Sequence, residues 1–444
     1  MLDPDISTTA ALRHLSVPVD PGDALALDRR RFLQLVGMGV GAGLVAGPGT
    51  TLLDMALPGL DPSAWAAGPI GPNDGVLVVI GMYGGNDGLN TVVRVNDGLY
   101  YDQHQPITIA PEDTIPLDAN TGLNQHLPIF KQFWDAGQLA IVEGIGHPHA
   151  GFSHFECMAD WMGGKKHGVP DTGWVGRWLD DYLGGSSDLF AAAEIGNSLP
   201  LHMIGASAVG TTVPVGKPSF GVAADPQQQK FVDAIRDLAT TGGPTTWQGR
   251  VGQAQVDQLE IAKTLNPIIP ESDDLPQPEI VSKLDIAARL INANLGLRVI
   301  TAGWADFDSH AGQPEMHDAR MTELNAALTQ FFSRLHPDWG NRVTVVTFSE
   351  FGRTSHANDG FGSDHGTAAP HFVFGSAVKG GFYGQRPSLN GLKAWDRMPI
   401  HVHNVDYYGS IVQGWLGGDV STVLPGFSED LGLFARGGLR LCDF

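Results

Sequence analysis

Continuous apolar runs, more than strict alternation, set the pattern along this chain. Val76-Leu77-Val78-Val79-Ile80 is unbroken, as expected of a parallel strand buried on both faces. It ends in Gly84-Gly85-Asn86-Asp87-Gly88, a run of turn formers. Leu139-Ala140-Ile141-Val142 repeats the pattern and ends at Gly144, and Leu201-His202-Met203-Ile204 is a weaker version. Arg298 to Thr301 (ending at Gly303), Val343 to Phe348 and His371 to Phe374 predict further strands. Between them the period lengthens. Val232 to Leu265 is helical, broken at Gly242-Gly243-Pro244. Ile280 to Leu295, His317 to Leu335 and Val405 to Leu416 read as three more helices. Pro267 to Pro278 is proline-rich and acidic, which predicts a surface loop. Strands alternating with helices predict an α/β fold, a mostly parallel sheet sandwiched by helices. In such sheets ligands bind outside the carboxyl ends of the strands. The residues just after each strand are therefore the candidates for chemistry.

Upstream of the first strand the pattern changes character. Asp28-Arg29-Arg30-Arg31-Phe32-Leu33-Gln34 precedes an apolar, glycine-rich run from Leu35 to Val45, and Ala64-Trp65-Ala66 supplies a small-residue cleavage site. These are the parts of a twin-arginine export signal. The apolar run is too short and too glycine-rich for a spanning helix. The alternative is a basic tail before a buried helix. The export reading divides the chain into a leader, 1–67, and one α/β domain, 68–444. It places the mature protein in the periplasm, cell envelope or extracellular space, with the Tat export machinery as a partner and no stable membrane span after cleavage.

The formal net charge of −21 argues against nucleic acid or an anionic membrane surface as a partner. Only two cysteines are present, Cys157 and Cys442, so there is no disulfide framework and no C-x-x-C metal spacing. There is also no G-x-S-x-G elbow, no P-loop and no H-E-x-x-H.

The strand ends do carry metal-ligand chemistry. The first gives Asn86 and Asp87. The second leads into His147, His149, Ser153, His154 and Glu156. Arg298 to Thr301 leads into Asp306, Asp308 and His310, and Val343 to Phe348 into Glu350, Arg353, Asp364 and His365. Carboxylate and imidazole together suit a divalent ion such as Zn, Mn or Mg. Arg353 offers a bidentate grip for a tetrahedral oxyanion. Each piece also has a plainer reading. Asn, Asp and Gly make turns without any ligand. Asp308 can cap the next helix, Arg353 can pair with Glu350, and the histidines beside Pro148 can be solvated. Ser153 and Glu156 fit a capping box. The functional reading rests on all four loops opening from one sheet edge.

Six segments together resemble the exported bacterial family called domain of unknown function 1501. They are Gly84-Gly85-Asn86-Asp87-Gly88-Leu89-Asn90-Thr91, Ser153-His154-Phe155-Glu156, Thr172-Gly173-Trp174-Val175-Gly176-Arg177, Asp308-Ser309-His310, Phe348-Ser349-Glu350-Phe351-Gly352-Arg353-Thr354 and Gly362-Ser363-Asp364-His365-Gly366. That family in turn resembles the alkaline phosphatase and sulfatase superfamily, metal-dependent hydrolases of phosphate and sulfate esters. The resemblance implies an alkaline-phosphatase-like sheet and a divalent metal (Zn, Mn, Mg or Ca) at one site, with room for a second. It implies Asp87, Asp308, His310, Glu350 and His365 as ligands, with Asp364 bridging or behind them. Phe351 stands where the superfamily has a second ligand histidine, which leaves a second metal to Asp364 or another histidine. Ser153 or a water is the implied nucleophile, His154 a ligand or anion contact, and Arg353 the anion holder. The implied substrate is a small-molecule or polymer ester. The alternative is a non-catalytic exported binding or assembly protein on a decayed hydrolase scaffold.

Overall fold

Nine strands pair into one sheet that gathers segments from across the chain. A computed structural model describes residues 69–148, 151–166, 170–186, 188–217, 226–240 and 247–435, with the side chains of 235, 238–240 and 247–255 also left out. The export signal, His149 and Cys442 lie outside the described residues. The described residues fall within one unit, Leu53–Phe444.

The strands are β1 (Val76–Met82), β2 (Leu139–Gly146), β3 (Ala192–Ile195), β4 (Thr211–Val213), β5 (Val299–Trp304), β6 (Val343–Phe348), β7 (Ala369–Phe374), β8 (Gly381–Gly384) and β9 (Val402–His403). Their order is β8-β2-β7-β6-β1-β5-β3-β4, with β9 also pairing β2. β1 lies in parallel between β5 and β6, with Ile80 opposite Ala302 on one side and Thr347 on the other. Every residue of β1, β5 and β6 is buried. That is why these strands read as continuous apolar runs. β7 is the exception in direction, running antiparallel to both β2 and β6. The fold is therefore mixed α/β with a mostly parallel sheet.

Helices cover both faces. On one, Val76, Val78, Ile80, Val343 and Val345 share a core with Phe130 and with the two long helices Glu279–Ala293 and Gln313–Arg334. On the other, Phe348 meets Trp161 of helix His154–Gly163 and Tyr408 of helix Asn404–Ile411. The helix expected over Val232 to Leu265 is two, Pro226–Thr240 and Trp247–Leu265, parted at the glycine-proline break. One strand expectation is corrected: Leu201–Met203 is a single tight helical turn after Pro200. The strand of this region is β3, whose sequence Ala-Ala-Glu-Ile is not an apolar run.

Candidate metal centre

β1, β2, β5 and β6 all send their following loops to the same end of the sheet, and four side chains converge there. His154 is the first residue of helix His154–Gly163. Asp308 and His310 follow β5. His365 closes the short hairpin of Arg353–Ala357 and Ser363–His365, in which Arg353 pairs with His365. Glycines let these loops approach. A Cβ on Gly84 would sit 2.4 Å from the Asp308 backbone nitrogen, and one on Gly85 2.5 Å from the Phe351 ring. Both residues also have positive φ, +120° and +82°, which a side chain would strain.

Asp308 is the centre of the cluster. Its Oδ1 lies 3.0 Å from His310 Nε2 and 3.2 Å from His365 Nε2, and its Oδ2 lies 3.3 Å from His154 Nε2. The Nε2 atoms of His310 and His365 are 3.0 Å apart. The other nitrogen of each ring faces an acceptor. His154 Nδ1 meets Glu350 Oε1 at 2.7 Å, His310 Nδ1 meets Asp364 Oδ1 at 3.0 Å, and His365 Nδ1 meets the Phe152 carbonyl at 2.8 Å. An acceptor at Nδ1 assigns the proton to that nitrogen and leaves the Nε2 lone pair free. With an ion bound, neutral rings carrying the proton on Nδ1 would turn three Nε2 lone pairs toward it beside the carboxylate; without one, the same Nε2 atoms lie near enough to Asp308 to donate to it. His154 Nε2 is buried and has no hydrogen-bond partner.

This donor set fits a divalent cation. Ligand atoms of His154, Asp308 and His365 all lie within 4.8 Å of one another. Bonds of 2.0–2.1 Å to a tetrahedral ion would set their separation at about 3.3 Å. An acceptor behind each ring is the usual support of a metal-bound histidine. The electrostatics set Asp308 apart from the histidines. Partial burial pushes the Asp308 carboxyl up, but hydrogen bonds from Arg353 and His365 and the charges of Arg353 and His310 outweigh it, bringing it down to about 2. The Glu350 hydrogen bond, working against burial, raises His154. Burial lowers His365, with the Arg353 charge adding to it.

The other residues singled out by sequence lie around this centre in different ways. Glu350 is buried and sits behind His154, also accepting from the Gly84 N–H at 2.8 Å. Asp364 sits behind His310. Neither offers its carboxylate to the Nε2 cluster. Asp87 is not brought into it at all. Its carboxylate caps helix Gly88–Thr91, accepts from His104 Nε2 at 2.8 Å, and also accepts from Gln313. Burial pushes this carboxyl up. The charge and hydrogen bond of His104, the His317 charge and the Leu89 N–H outweigh burial and hold it well below the usual range. The expected ligand role of Asp87 is thus corrected: its oxygens are already spoken for inside the core.

Arg353 needs the same correction. It is fully buried, and its nitrogens reach the carbonyls of Gly85 (2.7 Å), Ser363 (2.9 Å), Phe307 (2.9 Å) and Gly84, and Asp308 Oδ1 at 2.8 Å. Buried in this way, with each nitrogen already bonded inside the fold, it presents no open face to an incoming oxyanion. Arg353 instead ties three loops together and positions Asp308. Ser153 precedes the helix but makes no side-chain capping bond, so the capping-box alternative does not describe its hydroxyl. Phe351 packs its ring 4.9 Å from His154 and 4.6 Å from His365, holding both imidazoles in place. Sequence reasoning missed that buttressing role. It also missed His104, Gln313 and His317 around Asp87. Their only signal was polarity at buried helical positions, as at His317 within the long helix.

A cleft of about 760 Å³ opens on the cluster, with His154, Asp308 and Glu350 among its lining residues. Among the described residues, no helix is long and apolar enough to cross a membrane.

A family model described as "Protein of unknown function (DUF1501)" matches residues 271–406. That stretch contains Asp308, His310, Glu350, Arg353, Asp364 and His365, while His154 and Asp87 lie outside it. No curated protein matches the chain. Among solved structures, Ps i-CgsB in complex with k-i-k-neocarrahexaose is 11% identical, with a TM-score of 0.32, covering 80% of this chain and 73% of its own. The PH0037 protein from Pyrococcus horikoshii is 10% identical with a TM-score of 0.31, over 80% and 99%. Likeness this low says nothing about chemistry.

Proposed function

Over residues 271–406 this chain belongs to the DUF1501 family of unknown function, and from that premise we propose that it is an exported, metal-dependent hydrolase of phosphate or sulfate esters. The observation that supports a metal is the convergence of His154, Asp308, His310 and His365, with the far nitrogen of every ring held by an acceptor. A divalent ion bound there would bring the pKa of a water to about 7 and polarise an ester oxygen. Around it, the chain's own residues each have a task. Glu350, Asp364 and the Phe152 carbonyl orient the rings. Arg353 keeps Asp308 ionised. The adjoining cleft holds the ester beside the cluster. Ser153, next to His154 and free of capping duty, stays a candidate nucleophile alongside water.

Elemental analysis of the purified protein, followed by turnover of 4-nitrophenyl phosphate and 4-nitrophenyl sulfate before and after chelation, tests this reading. We expect about one divalent ion per chain and chelator-sensitive turnover of one of the two esters. Protein without metal and without turnover would sink it. A second reading, a binding or assembly protein on a hydrolase scaffold, is favoured by the engagement of every Arg353 nitrogen within the fold. Metal without turnover would support it.

Export by the Tat route belongs to the same proposal. That route carries folded proteins, so the ion can be inserted before transport. Changing Arg29 and Arg30 to Lys should strand the protein in the cytoplasm. Continued export through an unfolded-chain route would break the link.

A further inference from the structure

We infer that the cleft beside the cluster selects an ester with a bulky apolar group, aryl or branched alkyl, and with no second anionic charge. The inference rests on the hydrolytic reading above for the word ester, and on the cleft itself for the rest.

The walls come from two helices. Phe155 and Met158 stand one turn apart on helix His154–Gly163, and Met316 and Ala319 one turn apart on helix Gln313–Arg334. Tyr83 and Ala305 complete the apolar lining. A cleft of about 760 Å³ matches the size that takes a drug-sized ligand. Phe155 is 81% exposed and Met316 39% exposed. Two large apolar side chains thus stand in water at the mouth of one cleft, and Phe155 directly follows a residue of the cluster. Covering them with an apolar group removes that surface from water, which is favourable in proportion to area.

The charges exclude the alternatives. Apart from His154 of the cluster itself, Arg320 is the only cationic side chain among the lining residues. It is held by Glu323 at 2.7 Å, lies 3.6 Å from Asp306, and stacks 5.9 Å over the Trp304 ring. No free cation in the lining meets a second phosphate or sulfate. Asp306 and Glu315, both exposed at the rim, would repel one. Phe155, Met158, Met316 and Ala319 offer no side-chain hydrogen bond, so outside the cluster only the Tyr83 hydroxyl and the exposed carboxylates of Asp306 and Glu315 could meet sugar hydroxyls; those lying on the two helical walls would be desolvated without compensation. A nucleotide or a sulfated sugar is therefore disfavoured, and a single ester on an apolar body is favoured.

Two measurements on the full mature protein test this separately from hydrolysis. The first is fluorescence titration of metal-stripped protein with N-phenyl-1-naphthylamine, an uncharged apolar probe. Phe155→Ser and Met316→Ser should each weaken binding by about tenfold, the scale for losing one buried apolar contact. Trp395→Ser, which removes an exposed aromatic outside the cleft, should leave binding unchanged. The second is kcat/KM of the metal-loaded protein for 1-naphthyl phosphate and sulfate against glucose 6-phosphate. The naphthyl esters should be favoured by at least about tenfold, and Phe155→Ser should raise their KM more than it lowers kcat. Probe binding that follows the variants, with no turnover of any ester, upholds the apolar cleft and ends the hydrolytic reading. Probe binding indifferent to both cleft variants, or glucose 6-phosphate turned over as well as the naphthyl esters, overturns the inference and leaves hydrolysis standing.

Discussion

Two clusters of the same residue types lie at the same end of the sheet, and they differ in whether the protein satisfies them. In the inner one, Asp87, His104, Gln313 and His317 are all nearly or fully buried. Asp87 is shared by His104, Gln313 and two backbone N–H groups, and His104 Nδ1 meets the Ser355 carbonyl at 3.0 Å. His317 Nε2 meets Asn86 and Thr91, each at 3.3 Å. In the outer cluster, the side chains of Asp308 and His310 are each 44% exposed. Its Nδ1 atoms face other acceptors, and His154 Nε2 makes no hydrogen bond, with Asp308 Oδ2 3.3 Å away. The inner cluster is complete as it stands and binds loops together. The outer one gathers imidazoles and a carboxylate whose donor atoms fit the divalent ion proposed above. Residue type alone cannot separate the two; partner geometry does.

That contrast can be broken from either side. The largest effect is expected from Asp308→Ala, which removes the carboxylate all three outer imidazoles face. Metal and turnover should be lost together, with the circular dichroism spectrum kept. Metal retained at full stoichiometry in this variant would refute the assignment.

Asp87→Ala attacks the inner cluster. It leaves His104 buried beside no carboxylate, which should cost about 3–5 kcal/mol of stability. Urea unfolding measures it. A loss under about 1 kcal/mol would mean that the inner network is not the brace described here.

Acid should act on the buried histidines before the exposed cluster limits the fold. Burial pushes both His202 and His371 down to about 3, while in the unfolded chain each titrates near about 6.5. Below that upper value the unfolded chain takes up protons that the folded one refuses, so stability falls as pH falls. The slope is about 1.4 kcal/mol per pH unit for each histidine until the folded values are reached. Asp87, held low in the fold, adds a further loss once the pH drops below its unfolded value of about 3.9. Unfolding midpoints at pH 7, 5.5 and 4.5 that do not decline would contradict this.

Glu350→Gln is the mildest probe. The amide oxygen can still accept from His154 Nδ1, but the negative charge behind the ring is gone. Metal affinity should fall by about 10- to 100-fold, without loss of fold. An unchanged affinity would show that Glu350 serves only the Gly84 turn.

How far the sequence could be read follows from the same physics. β1, β5 and β6 were legible because strands buried on both faces must be apolar throughout. β3 was not, since its Glu194 is buried and interrupts the run. The direction of β7 leaves no mark in an apolar run, because hydrophobicity does not record which neighbour a strand pairs with. At the site, His154, Asp308, His310 and His365 were all singled out, and the structure brings them together. Asp87 and Arg353 looked equally suitable. Their partners come from residues such as His104, Gln313 and Phe307, and only the fold shows that these engage both Asp87 oxygens and all three Arg353 nitrogens. The cleft was invisible for a related reason: Phe155 and Met316 belong to separate helices whose approach no local pattern encodes.

The most direct test of the central claim is calorimetric titration of the chelator-stripped mature protein with Zn or Mn, beside its His154→Ala and His365→Ala variants. One ion should bind per wild-type chain, and either variant should abolish or severely weaken that binding while remaining folded. No binding to the wild-type protein, or equal binding to the variants, would contradict it.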